Sequence, residues 1–365
     1  MAKNGIIKIC KPDIGWREFW YVGKTLWRNE LSGETKTVKE FEDAFAEYTG
    51  ANYALAVSNG WAALFLAFWV LLWGKSILLP DITMIASANA AAMAGAHVVL
   101  SDVDKNGMLP IGDYKGAIMP VHLYGQTCHQ RGDITIEDSA EYLARNMKIV
   151  TAACFSFYAN KLITTGEGGM ITTNDRALYE ELYRLRSHYF GRGDKFFHEK
   201  MGFNFRMPAL CAAVGLAQLK RADYLIEKRQ QNALFYNKRI GHLVQTPAFN
   251  PEHAYWMYVI HTPQRDNLRK WLESCRIEVR NYFTPLHLQP EFRDSRDFPN
   301  ADRLSQTGLL LPHANDAQKQ FVCDKISEFF EIKRTGRSRE VARLLIPSSA
   351  GIEVKALPQL LSAGV

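Results

Sequence analysis

No two of the six cysteines form a C-x-x-C pair. Cys10, Cys128, Cys154, Cys211, Cys275 and Cys323 lie far apart, which argues against a zinc site or a disulfide framework and for reduced thiols in a cytoplasm. The opening MAKNGIIKIC lacks the apolar core and small-residue cleavage site of a signal peptide. The most apolar run, WAALFLAFWVLLW from Trp61 to Trp73, is too short for a bilayer-spanning helix, which needs about 20 residues, and predicts a buried helix instead. No block of one charge sign occurs. The net charge is +6 with the basic residues dispersed, so neither nucleic acid nor membrane is an expected partner, while an anionic, phosphorylated ligand is compatible. No metal site and no internal repeat emerges.

What is present suffices for two domains. Of 365 residues, 47% are hydrophobic and 22% charged, an ordinary globular balance. Residues 16–31 read as an aromatic-rich helix ending near Leu31-Ser32-Gly33. Val38, Phe41, Phe45 and Tyr48 recur at helical spacing, with Gly50 as the stop. Strands are expected at Tyr53–Val57, Ser76–Leu79, His97–Leu100, Gly116–Val121, Ile134–Ile136 and Ala152–Phe157, interleaved with the apolar helix and a small-residue helix at Ile85–Ala94. This alternation predicts an α/β fold whose large domain, 1–240, has a mostly parallel central sheet, with ligands beyond the strands' carboxyl ends. A helical stretch from Arg206 to Gln230 leads into a smaller α+β C-terminal domain, 241–332, with strands at Trp256–Ile260 and Ile277–Arg280. Residues 333–365, opening KRTGRSREVAR, read as a basic tail of uncertain order.

Three places carry chemistry. Ser58-Asn59-Gly60 sits between a strand and a helix, where free amides and a partial positive charge can hold a phosphate. Taken alone, an ordinary turn is the commoner reading. Ile134–Asp138 is a strand ending in two acids, and an acid there can salt-bridge a pyridinium nitrogen. A solvated carboxylate is equally expected. The strand of CFSFYAN delivers Lys161 into a loop followed by TTGEGG. A lysine desolvated beside a cationic cofactor suits Schiff-base chemistry, although a lone lysine is usually a solvated surface residue. The order of phosphate-type loop, strand-end Asp138 and strand-end Lys161 shifts the weighting toward a cofactor site.

On these residues the sequence resembles the DegT/DnrJ/EryC1/StrS family of sugar aminotransferases, which are fold-type I enzymes dependent on pyridoxal 5'-phosphate (PLP). The resemblance runs from about Ile9 to about Phe330. It rests on KPDIG (11–15), VKEFE (38–42), EDSAE (137–141), GFNFRM (202–207), VGLAQL (214–219), YWMY (255–258) and FTPLHLQPEF (283–292). IASANA (85–90), AIMPVHLYG (117–125) and FSFYANKLITTGEGGM (155–170) are most similar to the perosamine-synthase branch, which aminates a GDP-linked 4-keto-6-deoxy sugar.

The resemblance implies a role for each matching residue. Lys161 would be the Schiff-base lysine and proton carrier, and Asp138 the partner of the pyridine nitrogen. Glu141 would stand near the cofactor's ring hydroxyl. Ser156, Asn59 and the amides of Gly60 and Trp61 would line the phosphate, with Asn204 reaching it from the other subunit of a homodimer that shares its active sites. His287 and Arg280 are candidate sugar or nucleotide contacts, with a structural role for His287 equally open. L-glutamate is the expected amino donor.

Departures accompany the match. Trp61 replaces a phosphate-binding Thr or Ser, Met84 replaces an aromatic that stacks on the cofactor, and Cys211 replaces a common Gln. The spans from Gly125 to Asp138 and from Glu141 to Cys154 are short, as if a crossover helix and a hairpin had been trimmed. Alternatives therefore stand beside the leading reading: a transaminase of another keto sugar, or a non-catalytic relative motivated by Trp61 and Met84. Retention of Asp138 and Lys161 argues against the latter. The dehydratase branch carries His in place of Lys161.

Overall fold

The computed structural model describes residues 5–190 and 196–334. The first helices follow from their own apolar spacing. In α1 (Trp16–Trp27) the Gly15 amide is capped by the Glu18 carboxylate at 2.7 Å, and α2 (Lys36–Thr49) buries Val38, Phe41, Phe45 and Tyr48 on one face. Gly50 ends α2 at φ 73°, a left-handed position that suits glycine.

The central sheet alternates with helices in chain order: β1 (Tyr53–Val57), α3 (Gly60–Leu72), β2 (Ser76–Pro80), α4 (Ile85–Met93), β3 (His97–Ser101), β4 (Ala117–Ile118), β5 (Ile134–Asp138), β6 (Ala152–Ser156) and β7 (Gly169–Thr173). Its seven strands lie in the order β1-β7-β6-β5-β4-β2-β3. The run from β6 to β3 is parallel, and β7 alone is antiparallel to both neighbours. Helix α3, apolar almost all round, is buried against β6 and β7. Parallel strands are ordinarily joined through a helix. Here β4 passes to β5 through only a short 3₁₀ turn at Leu123–Gly125, in keeping with the trimmed spans.

Helices α5 (Arg176–Arg186), α6 (Ala209–Leu219) and α7 (Ala222–Ile240) follow. The remainder comprises β8 (Tyr258–His261), α8 (Arg265–Ser274), β9 (Arg280–Asn281), α9 (Pro299–Thr307), β10 (Gly308–Leu311) and α10 (Asp316–Arg334), with an antiparallel sheet ordered β8-β10-β9. Two apolar cores result, and α7 belongs to both: Ala222 and Leu225 join the first, Ala233, Tyr236 and Ile240 the second.

Several elements differ from expectation. The first helix stops at Trp27, because Asn29 turns to φ 55°. The strand expected at Gly116–Val121 pairs regularly only over Ala117–Ile118, just ahead of Pro120, which has no N–H to donate. The stretch Arg206–Gln230 is two helices, broken where Arg221 leaves helical geometry at φ −112° and ψ 3°. In the second unit Ile277 bridges to Ile7, leaving β9 only Arg280–Asn281. Helix α10 continues to Arg334, past the expected start of the tail at 333, and residues 335–365 lie outside the described residues.

Candidate active site

The carboxyl ends of β5 and β6 and the N-terminus of α3 converge on one region. Asn59 caps α3, its Oδ1 accepting from the Ala62 amide at 2.8 Å, while its carbonyl accepts from Ala63. The amides of Gly60 and Trp61 remain the first-turn donors, the usual place for an anion. Gly60 is required there by contact: a Cβ would come within 2.7 Å of the Ser156 Cβ. Gly169 is as tightly placed, with a Cβ 2.4 Å from the Asn59 carbonyl oxygen. The loop thus lies flat on the ends of β6 and β7, with the Ser156 hydroxyl beside it.

Asp138 closes β5 with 5% exposure. Its Oδ2 accepts from the Ser87 hydroxyl at 2.6 Å, its Oδ1 from the Ala140 amide at 3.0 Å, and Ser87 in turn meets Thr83 at 3.0 Å. Two fixed donors orient the carboxylate, and its remaining lone pairs can still accept from a protonated ring nitrogen.

Lys161 comes off the turn after β6, its amide donating to the Tyr158 carbonyl. Its Nζ stands 3.5 Å from Glu141 Oε1 and 4.0 Å from the centroid of the Trp256 ring. Glu141 Oε2 accepts from the Tyr124 amide at 2.7 Å. Burial pushes the Glu141 carboxyl up to about 7, with Lys161 and the Tyr124 amide opposing the rise. Tyr124 holds φ 55°, and its ring runs nearly parallel to those of Phe283 and Trp256.

The other expected residues take varied places. Met84 caps α4, its Sδ accepting from the Ala86 amide, in the segment that carries Thr83 and Ser87. Trp61 stacks on Phe65 at 5.0 Å within an aromatic cluster that includes Phe203 and Phe205. Asn204, between those two rings, is exposed. Cys211 is half-buried on α6. His287 is held inside the protein: Nδ1 lies 2.6 Å from Asp81 Oδ2, Nε2 lies 3.6 Å from Asp302, and Phe298 stacks on the ring at 4.7 Å. Arg280 is exposed and paired with Glu278 at 3.1 Å. The structure therefore brings Asn59, Gly60, Ser156, Asp138, Glu141 and Lys161 to one region, while the His287 and Arg280 side chains are engaged by neighbouring acids.

Ser87, Tyr124 and Trp256 were not singled out by sequence reasoning. All three lie in stretches noted for their resemblance, IASANA, AIMPVHLYG and YWMY, and that was the available signal. A hollow of about 1100 Å³, lined by His122, Arg131, Glu137 and Tyr142 among others, opens beside the shortened spans. Lys161 does not line it, and Glu137 leaves β5 on the face opposite Asp138. Glu141, Ser156 and Lys161 instead line a smaller recess next to the end of β6.

The residues fit PLP: helix amides and a serine for a phosphate, a buried oriented acid for a ring nitrogen, and a mostly buried lysine. Comparison with known proteins agrees. GDP-perosamine synthase from Escherichia coli O157:H7 is 34% identical over 361 residues, covering 90% of this chain and 99% of the relative. GDP-perosamine synthase from Caulobacter vibrioides is 34% identical over 343 residues, covering 84% and 92%. The solved structure of DesV from S. venezuelae superimposes with a TM-score of 0.77 at 26% identity, over 86% of this chain and 94% of that one. The model of the DegT/DnrJ/EryC1/StrS aminotransferase family matches residues 12–327, and with its strand-end acid, strand-end lysine and helix N-terminus in place the chain belongs to that family of PLP-dependent sugar aminotransferases.

Proposed function

We propose that the protein transfers an amino group from L-glutamate to a nucleotide-linked 4-keto-6-deoxy sugar, with GDP as the carrier. The observation that carries this reading is the joint placement of Lys161 and Asp138, in a chain whose relatives include GDP-perosamine synthases. When bound, PLP supplies an electron sink for the electron pair left on the donor's α-carbon. Asp138, fixed by Ser87 and Ala140, keeps the ring nitrogen protonated. The Gly60 and Trp61 amides with Ser156 hold the phosphate. Lys161 Nζ takes up and returns the proton exchanged during transfer, and the Trp256 ring, 4.0 Å from that nitrogen, shields it from water on one side.

The same reading divides the chain into domains 1–240 and 241–332; a second core drawn mainly from residues after 240 supports it, with Ile7, Ala233, Tyr236 and Ile240 joining that core and Trp256, Tyr282 and Leu304 joining the first. It also makes the enzyme a homodimer in the cytoplasm. Support for the dimer is the exposure of Asn204 together with apolar surface that a monomer seldom leaves open, including Trp16, Phe19, Trp20, Trp27, Phe196 and Met201. Support for the compartment is six free cysteines, and no helix among the described residues is long and apolar enough to cross a membrane.

The test is a coupled assay of 2-oxoglutarate release with GDP-, UDP- and dTDP-linked 4-keto sugars as acceptors. Turnover is expected with the GDP-linked sugar. Turnover with a free keto acid and none of the three sugars would overturn the assignment.

A further inference from the structure

The Lys161 amine is held from a side that the carboxylates and the phosphate loop do not supply. Its Nζ lies 4.0 Å above the Trp256 ring, and Trp256 comes from the segment leading into β8 rather than from the central sheet. That indole, 5% exposed, is fixed on several sides. Its Nε1 donates at 2.8 Å to the carbonyl of Asn160, the residue immediately before Lys161. Its own carbonyl accepts from Arg229 Nη1 at 2.7 Å. Its ring runs parallel to Tyr124, with centroids 6.1 Å apart and 13° between planes, and Tyr124 stacks on Phe283 at 5.1 Å. Gly125, at φ 95°, permits this approach, since a Cβ there would come 2.7 Å from the Trp256 amide.

The geometry points to Trp256 as a positioning residue that seats the Lys161 ammonium whenever that nitrogen is not bonded to the cofactor. An aromatic face attracts a cation by its quadrupole, most strongly where water is excluded, and indole is the best of the three rings. Lysine is a flexible stem tipped by a point charge. A single carboxylate attracts that charge without fixing its direction. Glu141, moreover, is raised to about 7 by burial and carries its full charge only above neutrality, whereas the attraction of the ring does not titrate. Ring and carboxylate together form two walls of one seat, and the Asn160 bond ties the ring to the backbone the lysine hangs from. The consequence for catalysis rests on the aminotransferase reading; the seat itself does not.

The experiment uses the full chain freed of cofactor, as wild type, Trp256→Phe and Trp256→Leu. Each is treated with trinitrobenzenesulfonate, and the modification rate of Lys161 is read by peptide mass spectrometry against the other lysines. Loss of a desolvated cation–π contact corresponds to a roughly tenfold faster modification of Lys161 in Trp256→Leu, with Trp256→Phe between it and wild type. Equal Lys161 rates in all three chains overturn the proposal, as does an increase shared by every lysine, which marks a general loosening of the fold. If Trp256→Leu does not fold, Trp256→Phe against wild type decides by the same comparison. In the loaded enzyme the glutamate half-reaction of Trp256→Leu is expected to slow with KM for glutamate unchanged. Failure of wild type to form a coloured adduct with added PLP would count against the aminotransferase reading and leave the labelling result standing.

Discussion

Glu141 holds the Tyr124 amide with one oxygen at 2.7 Å and faces the Lys161 Nζ with the other at 3.5 Å. The carboxylate thus joins the buried end of the β4–β5 connection to the lysine. Desolvation is the largest influence on it and raises it from 4.5 to about 7. The folded chain therefore binds this proton more tightly than the unfolded chain does.

That difference sets a pH dependence of stability. The contribution of Glu141 is fully present below pH 4.5 and is lost as pH rises through about 7. Glu141→Gln keeps an acceptor for the Tyr124 amide and does not titrate. Urea unfolding of the cofactor-free chain should show wild-type stability, relative to Glu141→Gln, falling by about 3 kcal/mol across this window. A stability difference independent of pH would contradict it.

His287 is expected to act through stability rather than through the sugar. Asp81 is fully buried, and burial raises its carboxyl against the two bonds it receives from His287. His287→Ala retains the backbone bond and removes the ring, leaving the buried Asp81 carboxyl without its side-chain hydrogen-bond partner. Thermal unfolding should show a loss of about 3 kcal/mol, with KM for the sugar changed by less than about threefold, well under the 1.4 kcal/mol of a tenfold effect. A large rise in KM with unaltered stability would restore His287 to the substrate site.

Asn204 tests the dimer. Chains carrying Lys161→Ala and chains carrying Asn204→Ala should each be inactive or weakened. After mixing and exchange, half of the dimers are hybrids, each with one intact site, so about a quarter of all sites recover. Activity counted against wild type at equal concentration measures this. A fully active monomer, or no recovery on mixing, would contradict it.

Much of this arrangement was legible in the sequence because it is local. The spacing of Val38, Phe41, Phe45 and Tyr48 predicts α2, and the alternation of strands with helices predicts the mostly parallel sheet at whose strand ends Asp138 and Ser156 fall. Strand β7 escaped because Gly168 and Gly169 mask its start, and those glycines are needed for contact: a Cβ on Gly168 would lie 2.2 Å from Thr165 Oγ1. The break between α6 and α7 has no glycine or proline to mark it. Trp256 reaches the lysine turn across 96 residues of sequence, and His287 reaches Asp81 across 206. Such pairings leave no periodicity to read, since they are settled by how the two cores pack.

The central claim is that Lys161 is the cofactor's lysine, and trapping tests it most directly. The purified chain is incubated with PLP, reduced with borohydride, digested and mapped by mass spectrometry. The account predicts a phosphopyridoxyl group on Lys161 that vanishes with Lys161→Ala. A stable adduct on another lysine, persisting undiminished in Lys161→Ala, would contradict it.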